Sequence, residues 1–149
     1  MEPDWIYKPF ERLTAKELYE ALQLRSKVFV LEQNCVYLDP DGKDEACFHL
    51  LGYVAGRLAA YARIVPPGIS YPELSFGRVV MEPDLRGNGL GHQLLQKTIQ
   101  LCLRQYGEVP IHIGAQSYLR SFYASAGFEQ VAEAYVEDGI PHISMIRQP

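Results

Sequence analysis

Three glycines occur within five positions of the stretch LRGNGLGHQLLQ, residues 85–96. They are Gly87, Gly89 and Gly91, and a segment with helical spacing of apolar residues begins directly behind them. A glycine-rich turn that leads into a helix directs several backbone N–H groups toward one point, and the helix dipole adds positive potential there. We therefore expect the loop to bind a phosphate or pyrophosphate, because a ligand approaches the backbone closely where no Cβ intervenes.

Two known phosphate-binding motifs do not fit this loop. A P-loop requires Gly-x-x-x-x-Gly-Lys-Ser/Thr, and the dipeptide Lys97-Thr98 lies well inside the predicted helix. A dinucleotide fingerprint requires Gly-x-Gly-x-x-Gly, whereas the third glycine here follows the second after a single residue. On the glycines alone, a helix entry turn without any ligand stays open as an alternative.

A second motif downstream favours the binding interpretation. The hexapeptide RGNGLG, residues 86–91, fits the Arg/Gln-x-x-Gly-x-Gly motif of the GCN5-related N-acetyltransferases (GNAT), and LRSFYASAGFE, residues 119–129, resembles that family's Tyr-x-x-x-Gly-Phe segment. The stretches RSKVFVLEQNCVYLDPDGKDEACFHLLG (25–52) and EDGIPHISM (137–145) resemble the family's ElaA-type subgroup. The sequence departs from the family pattern at Gln116, where many members carry an asparagine.

The resemblance implies an α/β (α+β) fold, in which a mixed, mostly antiparallel sheet splays after its central strand and is flanked by helices. Acetyl-CoA would lie in the V-shaped gap, with its pyrophosphate on the backbone N–H groups of the loop. Its pantetheine arm would pair with the exposed edge of the central strand, as a peptide adds to a sheet. The cofactor-binding residues that the resemblance implies are Val79, Val80, Met81, Arg86, Gly87, Asn88, Gly89, Leu90, Gly91, His92 and Gln116.

Acetyl transfer from a thioester to an amine requires a neutral amine, a donor to the developing oxyanion and a proton for the leaving thiolate. The backbone N–H of Met81 or Val80 is the candidate donor to the oxyanion. Tyr123 matches the family tyrosine that lies near the CoA sulfur, and a phenol with a pKa of about 10 can protonate a thiolate as it leaves. The resemblance therefore implies that Tyr123 is the general acid of a direct attack.

The general base and the acceptor-binding residues stay open. Among the carboxylates, Glu82 and Glu73 flank the predicted central strand, and strand alternation does not decide which of them faces the gap. Of the histidines His49, His112 and His142, only the last lies in GIPHISM, a segment of the subgroup resemblance. Arg78 could bind an acceptor carboxylate or pair with a neighbouring strand. The candidates for the acceptor side are His142, Arg78 and Glu82.

The segment NCVYLDPDGKDEAC, residues 34–47, suggests two further kinds of site. A calcium loop fails on register, because Tyr37 and Phe48 would fall on ligand positions. The acidic residues predict a solvated loop, or else one that attracts a cationic acceptor; they are Asp39, Asp41, Asp44 and Glu45. Cys47 and His49 share a strand face and could form a nucleophilic pair, which a direct transfer does not need.

Local sequence signals predict the elements that carry these residues. Thr14 and Glu17 form a capping box that starts a helix over Ala15 to Val30. Ala55-Gly56 and Asp138-Gly139 predict tight turns between paired strands. LSFGRVVMEP (74–83) and PIHIGA (110–115) predict strands, a helix follows the glycine loop as far as Gly107, and a short helix covers Tyr118 to Ser125. We expect one largely continuous sheet.

Composition limits the classes of partner. The chain has 149 residues, of which 48% are hydrophobic, and this predicts a single domain over residues 1–149. A net charge of −4 argues against nucleic acid, and no apolar run reaches the roughly 20 residues of a membrane helix, so we expect no membrane association and a cytoplasmic location. Three cysteines without a Cys-x-x-Cys pair predict free thiols and no metal site. The oligomeric state is not predicted, although edge strands in the C-terminal hairpin are compatible with a homodimer.

These observations leave three hypotheses. The first is an acetyl-CoA-dependent N-acetyltransferase that acts on an amine, in a small molecule or a protein. The second is a CoA-binding or regulatory module of the same fold without catalysis, and the third is an interaction domain with no affinity for CoA. The acceptor itself is not predicted, because the acceptor side lies in variable loops, residues 33–47 and 66–72.

Overall fold

The computed structural model describes residues 2–149 and contains eight β-strands and three α-helices. The strands are β1 (Asp4–Pro9), β2 (Phe48–Val54), β3 (Arg57–Val65), β4 (Ser75–Met81), β5 (Ile111–Gln116), β6 (Phe128–Gln130), β7 (Tyr135–Glu137) and β8 (Ile140–Arg147). The α-helices are α1 (Ala15–Arg25), α2 (Leu90–Tyr106) and α3 (Arg120–Ala124). Short 3₁₀ turns cover Phe10–Arg12, Asp44–Ala46, Pro83–Leu85 and Ser117–Leu119.

The first helix begins as predicted and ends differently. Thr14 and Glu17 make both hydrogen bonds of the capping box. The α-helical hydrogen bonding stops at Arg25, and the chain continues as a π-helix over Ser26–Glu32, so the prediction of one α-helix to Val30 was wrong. The wider turn of a π-helix rotates the residues that follow it, an effect often found at functional sites.

The strands form two four-stranded sheets rather than the continuous sheet that we expected. The first has the order β1-β2-β3-β4, and every neighbouring pair is antiparallel. In the second, β8 pairs with β5 on one side and with both β6 and β7 on the other. The sheets meet at a parallel bridge between Leu74 and Ile111, and the N–H of His112 donates to the Leu74 carbonyl at 2.8 Å. From this joint, β4 and β5 diverge, which confirms the splayed sheet.

A bulge in β4 lies where the strands diverge. Tyr61 pairs with Val80 and Arg63 pairs with Gly77, so β4 holds one residue more than β3 between these pairs. Arg78 lies in this bulge, and its backbone adopts the left-handed region with φ of 51°. A bulge bends its strand and increases the local twist, and this turns the end of β4 away from β5.

The apolar core lies between α2 and the two sheets. Leu90, Leu94 and Cys102 of α2 are buried there together with strand residues such as Ile111 and Phe76. Gly107 ends α2 with φ of 82°, as predicted. A second core cluster packs α1 against the outer face of the first sheet.

A polar cluster lies where the two sheets meet, on the face of β5 that is directed away from the apolar core. His112 Nδ1 lies 2.9 Å from Glu73 Oε1, and its Nε2 lies 2.5 Å from Ser144 Oγ. Tyr71 stacks on the same imidazole at a centroid distance of 3.7 Å. These contacts connect the loop before β4 with β5 and β8 at the joint where the two sheets meet.

The C-terminal hairpin turns at Asp138-Gly139, as predicted. Residues 131–139 are exposed throughout, including Val131 and Val136. The oligomeric state stays open.

Candidate active site

The gap between β4 and β5 is a cleft of about 380 Å³. One end lies at the start of α2, and the other lies among the π-helix, the segment after it and the β7–β8 turn. The predicted residues that line the cleft are Arg78, Val79, Val80, Met81, Arg86, Gly91, Gln116, Tyr123 and His142. The remaining loop residues continue between Arg86 and the first turn of α2; they are Gly87, Asn88, Gly89, Leu90 and His92.

The backbone of the glycine loop has the geometry that an anion-binding site requires. Gly87 and Gly89 have φ of 87° and 76°, a region that L side chains rarely adopt. A Cβ built on either residue would meet no atom within 4 Å, so the space in front of the loop is open. The first intrahelical hydrogen bond of α2 runs from the Gln93 N–H to the Gly89 carbonyl at 3.1 Å. The N–H groups of the first helical residues therefore have no carbonyl of their own helix to bond to.

Gly91 permits close packing at the start of α2. A Cβ there would lie 3.1 Å from Met81 Cε and 3.6 Å from Phe122 Cε1. The missing side chain thus lets α2 approach the end of β4 closely. His92 lies one residue further and packs on Phe122 at a ring distance of 5.2 Å.

The side chain of Arg86 is already engaged by an acid. Its two terminal nitrogens donate to Glu32 at 2.6 and 3.0 Å, and both side chains are about 40% exposed (40% and 39%). The pair links the glycine loop to the last residue of the π-helix, a contact that no sequence pattern indicated.

The backbone of β4 presents a donor to the cleft at Met81. The N–H of Glu82 donates to the Ala59 carbonyl at 2.8 Å, so this opposed pair is a hydrogen-bonded one. In antiparallel strands, hydrogen-bonded and non-hydrogen-bonded pairs alternate along the ladder. The pair next to Glu82 and Ala59, which is Met81 with Ala60, is therefore not hydrogen-bonded. The pair after it, Val80 with Tyr61, is hydrogen-bonded again. The N–H of Met81 consequently points away from β3, toward the cleft, whereas that of Val80 points toward β3.

Tyr123 is a buried residue of α3 that lines the same cleft. Its ring packs edge-on against Phe122 and Phe128, at centroid distances of 5.1 and 6.0 Å. Burial raises the pKa of its phenol above the ordinary value. The hydroxyl therefore stays protonated throughout the neutral range and is available as a donor.

Gln116 lies at the end of β5, where it pairs with a residue across the cleft. Its amide donates to the Gln33 side-chain oxygen at 3.1 Å and accepts from the Gln33 amide at 3.1 Å. Gln33 directly follows the π-helix. The reciprocal pair joins the two walls of the cleft, and sequence reasoning missed it because the partners are separated by 83 positions.

His142 lies on β8 opposite Gln116 and lines the end of the cleft that is remote from α2. Its Nδ1 donates to the Ile140 carbonyl at 2.7 Å, so in the neutral ring Nε2 carries the lone pair. Glu137 Oε2 lies 3.8 Å from Nε2, and Tyr135 stacks on the ring at 5.8 Å.

Two of the four acids in the loop are buried, contrary to our expectation of a solvated loop, whereas Asp41 and Glu45 are exposed. Asp39 and Asp44 are buried, at 2% and 8% exposure. Arg25 donates to both of them, with distances of 2.7 Å to Asp39 Oδ2 and 2.8 Å to Asp44 Oδ1. Arg63 bridges Asp44 and Asp41 at 3.0 and 2.8 Å. Spacing could not predict this network, since its arginines come from α1 and β3.

The network also holds Arg78. Its Nε lies 2.9 Å from Asp39 Oδ1, and its Nη2 donates to the Asp39 carbonyl at 2.9 Å. The guanidinium lies over the ring of Tyr37 at 5.8 Å. These contacts are those of an arginine that pairs within the fold, and not of one that is free to bind an acceptor carboxylate.

The other candidate bases lie away from the cleft. The carboxylate of Glu82 contacts Lys27 and lies 3.3 Å from Arg57, on the far side of β4. Glu73 and His112 belong to the joint between the sheets. Both ring nitrogens of His49 are engaged, by the Tyr61 hydroxyl at 2.6 Å and the Asp44 carbonyl at 2.9 Å.

Comparison with known proteins identifies relatives along nearly the whole chain. Residues 37–148 match the family described as "Acetyltransferase (GNAT) domain". Protein ElaA of Escherichia coli is 43% identical over 147 residues, covering 97% of this chain and 96% of that protein. A UPF0039 protein of Schizosaccharomyces pombe is 39% identical over 144 residues, covering 95% of each.

Solved structures agree with this result. The crystal structure of an acyl-CoA N-acyltransferase from Pseudomonas aeruginosa superposes with a TM-score of 0.93 at 42% identity, over 98% of this chain and 99% of that one. Among the described residues 2–149, no helix has the length and apolar character needed to cross a bilayer. The cytoplasmic location stays a prediction.

Proposed function

The chain belongs to the GNAT family of acyl-CoA-dependent N-acyltransferases, and from that premise we propose that it transfers an acetyl group from acetyl-CoA to an amine by direct attack. The observation that carries the proposal is the arrangement of two backbone features on one cleft. The glycine loop turns free N–H groups toward one end, and the N–H of Met81 points into the middle. Acetyl-CoA supplies the activated acetyl group as a thioester.

The backbone supports binding of the CoA pyrophosphate. The cradle between Arg86 and His92 is open in front of Gly87 and Gly89, where a Cβ would occupy the space that a phosphate needs. The edge of β4 that faces away from β3 offers backbone groups to an extended arm, in the manner of an added strand. Gln116 would have to leave Gln33, or share its amide, in order to contact the cofactor.

Three groups of the chain then have distinct roles in the transfer. The N–H of Met81 donates to the thioester oxygen as negative charge develops on it. His142 Nε2, which lies 3.8 Å from the Glu137 carboxylate, accepts a proton from the attacking amine. As the new C–N bond forms and the C–S bond breaks, Tyr123 donates its proton to the sulfur of the leaving CoA.

A covalent route through Cys47 has less support. Burial raises the pKa of the Cys47 thiol to about 11, so the residue is a thiol and not a nucleophilic thiolate at neutral pH. Its candidate base, His49, uses both ring nitrogens in hydrogen bonds, and burial lowers the pKa of its ring. Neither residue lines the cleft.

The alternative is a CoA-binding module without catalysis, and the substitution Tyr123→Phe separates the two functions. It removes only the hydroxyl from a ring that three phenylalanines hold in place. We expect the rate of CoA release with an amine acceptor to fall about 100-fold, at the lower end of general acid catalysis, with unchanged affinity for CoA.

The matched control is Tyr106→Phe, which removes a half-buried hydroxyl near the far end of α2. It should leave both the rate and the CoA affinity unchanged. Calorimetric titration measures the affinity, and a thiol assay measures CoA release. If the wild-type protein binds CoA but releases none with any amine, the non-catalytic module replaces the transferase as the explanation.

A further inference from the structure

The acceptor end of the cleft has no cation available for a carboxylate. Arg78 is the only lysine or arginine among the described residues that line this end. Its Nε lies 2.9 Å from Asp39 Oδ1, its Nη2 donates to the Asp39 carbonyl at 2.9 Å, and Nη2 lies 3.4 Å from Asp41 Oδ2. An acceptor carboxylate would have to displace these contacts, and it would leave buried Asp39 with one partner fewer.

The network around Arg78 has no surplus positive charge. Three arginines face three aspartates within it: Arg25, Arg63 and Arg78 face Asp39, Asp41 and Asp44. Because these charges cancel, the field at the acceptor end depends on the groups outside the network.

Those outer groups are acidic. Glu137 and Asp138 line the cleft on the β7–β8 turn, and the carboxylate of Glu137 lies 3.8 Å from His142 Nε2. A negative potential at this end attracts an ammonium ion and repels an anion.

Part of the lining of the acceptor end is apolar. Val28, Phe29 and Ile140 line its interior. These side chains offer contact area to a hydrophobic substituent on the acceptor.

We propose that the acceptor is a primary amine on an apolar body, with no carboxylate close to the amino group. Alkylamines and arylalkylamines fit this description, whereas free α-amino acids do not. The inference rests on the proposed transfer reaction and names the substrate class of the same site.

The test compares amines with their carboxylated counterparts at saturating acetyl-CoA. The pairs are phenethylamine with phenylalanine, and hexylamine with 6-aminohexanoate. We expect kcat/KM to be at least tenfold higher for the amine in the phenylalanine pair, where the carboxylate is adjacent to the amino group. The ratio should be smaller in the hexylamine pair, because Coulomb repulsion weakens with distance.

Two variants connect the preference to the described groups. Glu137→Gln should reduce the phenethylamine/phenylalanine ratio severalfold, because it removes the charge that repels the carboxylate. Glu133→Gln is the matched control, since it removes an exposed acid of the neighbouring segment that does not line the cleft, and it should leave the ratio unchanged.

The possible results separate the inference from the function on which it depends. Equal or preferred use of phenylalanine overturns the substrate class and leaves the transferase intact. If no amine or amino acid is acetylated while CoA still binds, the transfer reaction fails together with the inference. A preference for amines that Glu137→Gln and Glu133→Gln change equally overturns the role given to Glu137.

Discussion

Replacing Gly89 with alanine tests the anion cradle, and the chain provides a matched control for it. Gly89 and Gly56 have φ of 76° and 77°, and a Cβ on either residue would meet no protein atom within 4 Å. Gly56 lies in the turn between β2 and β3, whereas Gly89 precedes α2 in the glycine loop. The two substitutions therefore introduce the same backbone strain at two different places.

The strain predicts equal losses of stability. An L side chain in the left-handed region costs about 1–2 kcal/mol. For a domain of this size each kcal/mol lowers Tm by about 2–4 °C, so Gly89→Ala and Gly56→Ala should both melt about 2–8 °C below the wild type. Differential scanning calorimetry measures this effect.

Only Gly89→Ala should weaken the binding of CoA. Its new methyl group enters the open space in front of the loop, and relief of the strain would turn the N–H groups away from the ligand. A lost hydrogen bond to a charged group is worth about 1.5–3 kcal/mol, which raises Kd about 10- to 150-fold. Calorimetric titration with CoA gives the two constants. An unchanged Kd in folded Gly89→Ala, or an equal weakening in Gly56→Ala, would refute the cradle.

Two further predictions concern the charged groups around the cleft. Asp44→Asn breaks a buried ion pair and should lower the free energy of unfolding by about 3–5 kcal/mol. Burial alone would raise the pKa of Asp44, but hydrogen bonds and charges from Arg25 and Arg63 outweigh it and lower the pKa. The carboxylate therefore contributes its full stabilisation above its unfolded-state pKa of about 4, and this stabilisation is lost as the pH falls through the lowered folded-state pKa. The difference in free energy of unfolding between the wild type and Asp44→Asn, measured by urea denaturation, should therefore become smaller in acid. A difference that is the same at pH 7 and pH 3 would contradict this assignment. Glu32→Gln frees Arg86 for a phosphate and should tighten CoA binding about two- to fivefold in a calorimetric titration, while Glu108→Gln, at an exposed position beyond the end of α2, should not. Weaker binding in Glu32→Gln would show that the ion pair supports the loop instead of competing for it.

Local signals predicted those parts of the fold that depend on neighbouring residues. The capping box at Thr14, the turn at Asp138-Gly139 and the end of α2 at Gly107 each depend on a few adjacent positions. The glycine loop was predictable for the same reason, because it is one continuous segment, and its role in binding the cofactor stays a prediction.

The acceptor end was not predictable in this way, because it is assembled from distant segments. The bulge at Arg78 requires a register shift against β3, which no pattern within β4 indicates. Gln33 meets Gln116, and Cys35 donates to the Asp138 carbonyl at 3.0 Å, across separations of 83 and 103 positions. Acidic residues in a loop predict exposure, and the arginines of α1 and β3 explain why Asp39 and Asp44 are buried instead.

The joint at Leu74 and Ile111 has a consequence for the intact molecule in solution. Beyond that bridge, the edges of β4 and β5 that face each other carry backbone N–H and C=O groups that pair with no strand of residues 2–149. The protein therefore has two unpaired sheet edges along the cleft. A second molecule that bonds to these groups completes hydrogen bonding that the chain cannot complete alone. Its concentration then contributes to the conformational stability of the protein by mass action, and amide exchange along β4 should report the level of the ligand.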